Sequence, residues 1–182
     1  GAAPVEHMVD YMGVTDFAKL VSKYGLATTE DMILNIGAGS MTDLYSSLGL
    51  TDMYSFIDTL SYTDAKTFLN TIGIGNTIDL LSTISIPELD SMISTFGLTD
   101  IMNVFDGIGV PAFSSLIGDI GLSGFDSLLS SVGSTDLIGA IDTLGIAAFE
   151  GLISAEGLTS ITSTLSGSGI SGIKLGCTLN DT

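Results

Sequence analysis

The chain has 182 residues, 21 of them acidic against four lysines and no arginine, for a formal charge of −17, and 45% of it is hydrophobic. So few basic groups argue against phosphate-neutralising functions such as nucleic-acid binding, nucleotide clamping and adhesion to anionic membrane. The apolar content argues against an acidic disordered chain, no apolar run nears the roughly 18 residues of a membrane-spanning helix, and one histidine, one cysteine and no tryptophan leave most catalytic toolkits absent.

Gly1 opens a register of twelve residues. Glycine recurs at 13, 25, 37, 49, 73, 97, 109, 121, 133, 145, 157 and 169, and Ser61 and Ser85 fill the two gaps in the series. With each glycine as place 1, apolar residues fall at places 2, 5, 8, 9 and 12, as in Gly97-Leu98-Thr99-Asp100-Ile101-Met102-Asn103-Val104-Phe105-Asp106-Gly107-Ile108. Place 9 carries no polar residue, from Val9 through Phe105 to Cys177. Places 5, 8, 9 and 12 are i, i+3, i+4 and i+7, one apolar stripe of a helix. Alternation with period two, the mark of a strand, is absent.

The same register predicts the helix ends. Threonine or serine recurs at place 3 (Thr15, Thr51, Thr99) and an acid at place 4 (Asp16, Asp52, Asp100), as an N-cap and a carboxylate on the positive end of the helix dipole. Pro4, Pro87 and Pro111 lie only at places 3 and 4, where a helix tolerates proline. The glycine supplies a left-handed residue that ends the helix. Helices of about eight residues are expected, too short to stand alone in water, so neighbours must complete their burial. The fold expected is all-α: a solenoid or superhelix of about fifteen 12-residue units in one domain over residues 1–182, regular to 162 and decaying over 163–182 into a polar cap.

The first units carry His7, at a polar place with no second histidine or cysteine to share a metal, and it reads as an exposed residue. All seven methionines and all five tyrosines precede residue 103, a supply of adaptable, bulky side chains. Further along, Tyr54, Ile78 and Met102 are apolar at place 6 and 24 residues apart, which favours two units per coil over three, with the three side chains aligned along one flank. They are the candidate contacts of a hydrophobic ligand, a lipid or pigment, held in an apolar interior. Thr59, Thr71, Thr83 and Thr95 form a hydroxyl ladder at place 11 that could meet a regular surface such as ice, mineral or carbohydrate. In the second half, glycines inside helices, Gly107, Gly118, Gly139 and Gly151, suggest close helix approach. Cys177, at the apolar place 9, reads as a buried thiol or, alternatively, an intermolecular cross-link.

Nineteen of the 21 acids lie at places 4, 6, 7, 10 and 11, a solvated face. No calcium-loop motif occurs, so calcium would bind only weakly, and no cofactor or dedicated metal site is expected. The leading expectation is a secreted, non-catalytic repeat protein serving as an acidic extracellular structural or coat scaffold, its partners being further copies or matrix components. Gly1, in register, is consistent with a processed mature chain. The alternatives are the hydrophobic carrier and the surface binder.

Overall fold

A computed structural model describes the backbone of residues 2–179 and the side chains of residues 3–169. Every regular element among them is a helix, and twelve follow in sequence: α1 (Ala2–Met12), α2 (Val14–Tyr24), α3 (Leu26–Ile36), α4 (Ala38–Leu60), α5 (Tyr62–Ile72), α6 (Ile74–Thr83), α7 (Ile86–Phe96), α8 (Leu98–Ile108), α9 (Val110–Val132), α10 (Ser134–Leu144), α11 (Ile146–Glu156) and α12 (Leu158–Leu179). The three long ones are broken by non-helical residues, α4 at Gly49, α9 at Gly121 and α12 at Gly169.

The joints correct the expected helix ends. Most helices have eleven residues rather than about eight, and a single residue separates each from the next except between α6 and α7, where Ile84 and Ser85 intervene. At Gly13, φ is 80° and ψ is 154°, so φ is positive as expected, but ψ is far from the left-handed helical value. This extended, positive-φ region is open essentially to glycine alone. The Gly13 N–H donates to the Val9 carbonyl at 2.9 Å, closing α1, and the Gly13 carbonyl accepts from the Phe17 N–H at 3.1 Å, opening α2. One residue therefore ends one helix and begins another. The N-cap falls on the glycine, and threonine at place 3 lies inside the first turn. Pro111 is accommodated there, at the start of α9.

The two serine joints solve the missing glycine differently. Ser61 adopts φ 69° and ψ 157°, the sole positive φ outside glycine among the described residues. At the other, Ile84 is extended (φ −121°, ψ 148°) and α6 ends a residue early. Ser85 then forms a capping box: its N–H and Oγ contact Glu88 Oε2 at 2.7 and 2.8 Å, and the Glu88 N–H donates to Ser85 Oγ at 3.4 Å.

The chain divides into two compact units, residues 1–91 and 92–182, with the division inside α7. In the first, the apolar stripes bury Met8, Leu20, Met32, Met41, Phe56 and Phe68 completely, and Phe56 meets Phe68 edge to face at 5.9 Å. The hydroxyls of the buried Thr29 and Thr77 donate to the carbonyls of Gly25 and Gly73 at 2.8 and 2.9 Å, so the core polar groups at place 5 are satisfied by the joints beneath them. In the second unit Phe105, Phe113 and Phe125 stack edge to face at 4.8 and 5.0 Å.

The spacing of contacts overturns the expectation of two units per coil. In the first unit, hydrogen bonds between helices join residues 29, 30, 31 and 34 apart. In the second unit, Ile138 lies against Gly107 and Leu158 against Gly124. Such separations pair a helix mainly with the one about three units earlier. Sharp joints are the physical reason: α8 and α9 bend by 101°, and α10 and α11 by 105°, so the chain turns back on itself in three helices. Places 2, 6 and 10 form the face turned to the earlier helix (Leu158, Ile138, Asp58), and places 4, 7 and 11 on that helix receive it (Gly124 at 4, Ser127 at 7 across a groove from Leu158, Gly107 and Lys23 at 11).

Candidate functional site

The densest polar constellation joins α2 to α4 in the first unit. The Tyr24 hydroxyl donates to Asp58 Oδ1 at 2.7 Å, and Lys23 Nζ lies 2.8 Å from Asp58 Oδ2. Lys23 Nζ also stands 5.1 and 5.4 Å from the ring centroids of Tyr24 and Tyr54, within cation–π range, and the two rings meet edge to face at 5.7 Å. Burial pushes the Asp58 carboxyl up, but the bonds from Lys23 and Tyr24 outweigh it and hold it below its ordinary value. Burial and the Asp58 bond push the Tyr24 phenol well above the usual tyrosine range.

Beside it, the Tyr45 hydroxyl donates to Asp16 Oδ2 at 2.8 Å while Lys19 contacts Asp16 Oδ1 at 2.7 Å. These two bonds lower the Asp16 carboxyl, and the bond to Asp16 raises the Tyr45 phenol. Tyr11 packs edge-on to Tyr45 at 6.5 Å, with His7 6.4 Å from Tyr11. Ionised carboxylates accepting from phenols held protonated act as pins between helices, and such phenols are donors rather than nucleophiles at neutral pH.

Three open grooves follow the same helix pairing. About 610 Å³ lies between Asp52, Ser55, Asp58 and Thr59 of α4 and Leu81, Ser85, Pro87 and Asp90. In the second unit about 420 Å³ lies between Asp119 and Ile120 of α9 and Glu150, Ile153 and Ser154 of α11. A third, about 490 Å³, runs between Ser127 and Ser131 of α9 and Leu158, Thr162 and Ser166 of α12. Asp126 Oδ1 and Glu150 Oε1 are buried without a hydrogen-bond partner, and burial raises the Asp126 carboxyl. No three metal-ligating side chains converge among the described residues.

Tyr54, Ile78 and Met102 are each half-buried at place 6. Tyr54 is on α4 and Ile78 on α6 in the first unit, whereas Met102 belongs to the second, so they do not share one compact unit. The Tyr54 hydroxyl is buried and has no hydrogen-bond partner. Thr59, Thr71 and Thr83 lie on α4, α5 and α6, divided by the Ser61 and Gly73 joints, and Thr95 lies in the second unit. Thr59 is half-buried; the other three are exposed. His7 is exposed, as expected. Cys177 lies outside the described side chains. A side chain at Gly107 would strike Ile138, the close approach expected there, but nothing lies within 4 Å of a Cβ at Gly118, Gly139 or Gly151.

The cluster of Lys23, Tyr24 and Asp58 was not singled out by sequence reasoning. Its signal was the rarity of lysine: Lys19 and Lys23 are two of only four cations, both beside the tyrosine-rich units. No family model matches the chain, and comparison with curated proteins and with solved structures finds no similar protein.

Proposed function

We propose that this chain is a non-catalytic, secreted helical-repeat protein that works by self-association as an acidic structural or coat scaffold outside the cell. The observation that carries the reading is the register itself: twelve residues recur without insertion through the sequence, with acids at the outward places and apolar residues at the inward ones. On this reading the array comprises about fifteen units wound as a solenoid over residues 1–182, closing in a degenerate polar segment at 163–182. Interior positions occupied by close-packed phenylalanines support packed core over a ligand chamber.

The second reading, a carrier of a lipid or pigment, is favoured by one observation, the half-buried Tyr54 whose hydroxyl lacks a partner. Native mass spectrometry of protein from its source separates the two. A bare chain mass or its multiples is expected; additional mass lost on denaturation overturns the scaffold in favour of the carrier. In that event Tyr54→Ser should reduce loading.

A further inference from the structure

Three of the four large apolar side chains exposed among the described residues lie on one kind of face. Val14 is 73%, Leu26 56% and Leu34 60% exposed. Val14 on α2 and Leu26 on α3 hold place 2, and Leu34, two turns beyond Leu26, holds place 10. These are places of the face that later helices turn toward the helix about three units before, as Leu158 does onto Gly124 and Asp58 onto Lys23 and Tyr24. From Ala38 to Leu158, every place-2 residue is buried or half-buried. Place 10 is polar or glycine in every other unit, so Leu34 is an apolar exception on this very face. In this structure α2 and α3 therefore expose the kind of face with which later helices pack on earlier ones.

The complementary face is exposed on α11 and the start of α12. Places 4, 7 and 11 form the receiving face, and in α11 and the start of α12 these are Ala148, Gly151, Ala155 and Ser160, Ser163, Gly167, all exposed. All are small and uncharged, whereas place 4 elsewhere is often aspartate (Asp16, Asp52, Asp64, Asp100). Gly124 shows what a small residue at place 4 does inside the chain: a Cβ there would come within 3.2 Å of Leu158 Cδ2. A receiving face without carboxylates also spares the like-charge repulsion that a −17 chain would otherwise meet in associating with itself.

We propose that the Val14–Leu26–Leu34 face docks on the Ala148–Ser160 face of a second copy of this chain, continuing the internal packing between molecules. The contact is heterologous, because the two faces differ, and so joins copies head to tail into rings or filaments. This inference rests on the scaffold reading and gives it a partner and a geometry.

Sedimentation velocity of the full chain across concentration and salt tests it. Progressive association that strengthens with salt is expected, as screening reduces charge repulsion. Leu26→Asp and Val14→Asp should each lower the association constant about tenfold or more, given the apolar area each would leave unburied, with the helical circular dichroism unchanged. The decisive arm mixes two blocked variants, Val14→Asp/Leu26→Asp and Ala148→Arg/Ser160→Arg. Each alone should be monomeric, and together they should form a one-to-one complex that grows no further, since only one intact face of each kind remains. A chain monomeric at every concentration, or a mixture that stays monomeric, overturns the proposal. Assemblies that survive the head variants overturn the docking face while leaving the scaffold reading standing; bound small-molecule mass on a monomer removes that reading itself.

Discussion

Gly107 on α8 and Ile138 on α10 approach so closely that a Cβ on the glycine would lie 2.9 Å from Ile138 Cγ2 and 3.0 Å from two further atoms of the same side chain. Glycine inside a helix costs roughly 1 kcal/mol relative to alanine, so the helix alone would favour Gly107→Ala. The contact reverses the sign. Gly107→Ala should lower stability by about 1 kcal/mol or more, by overpacking, whereas Gly118→Ala, with nothing within 4 Å, should raise it by about 0.5–1 kcal/mol. Urea titration followed by circular dichroism checks both, and a gain at Gly107 would show that Ile138 yields freely.

Ser61 and Ser85 hold the same place in the register, yet one substitution should act on them in opposite directions. Ser61 sits at φ 69°, where a residue with a Cβ bears strain on the order of 1–3 kcal/mol, so Ser61→Gly should stabilise despite losing the 3.3 Å bond from the Asp64 N–H. Ser85 has no positive φ and forms the capping box with Glu88, so Ser85→Gly should destabilise. Thermal melts of the two variants beside the parent give the comparison, and shifts of the same sign would contradict it.

Asp126 carries a buried Oδ1 with no partner, and burial raises its carboxyl. A group whose folded value exceeds its unfolded value of about 3.8 adds stability below that value and loses it as pH rises through the folded one. Asp126→Asn should therefore be more stable than the parent at pH 7, with the difference vanishing near pH 3. Paired denaturation curves at the two pH values test this; a parent more stable at neutral pH would mean that the charged form has a partner.

Tyr24 ties α2 to Asp58, and Tyr24→Phe should cost about 1–2 kcal/mol by removing a hydrogen bond to a charged acceptor. Its phenol is raised, so its contribution is complete below the unfolded value near 10 and is lost as pH climbs toward the folded one. The loss of stability above pH 10 should be shallower in the variant, and ultraviolet titration should lack one late-ionising phenol. An unchanged titration would place Tyr24 in water.

Much of this architecture was legible because the register repeats. Place 9 and its companions fixed the buried stripe, and the glycines fixed the joints, since both depend on local chemistry. The helix length was misjudged because a joint glycine can cap two helices at once, so the threonines at place 3 were not needed as caps. The number of units in a coil was misread from Tyr54, Ile78 and Met102, a periodicity of composition rather than of contact. The bend at each joint decides which helices meet, and twelve residues do not spell out an angle. Gly107 against Ile138 was the better clue, a gap and its filler 31 residues apart. For the candidate site, the lysines were too few to show a pattern; only folding brings Lys23 and Asp58 together.

The one-residue joint leaves the chain no slack. Where helices are linked by loops, an extra residue is taken up at the surface, but here it would throw whatever follows out of phase. One residue added inside α8 would rotate all that lies beyond it by about 100° about the helix axis, swinging the buried stripe toward water from there to the next joint. Such a sequence can lengthen or shorten harmlessly only by whole units, like a thread that accepts a full turn but no fraction of one.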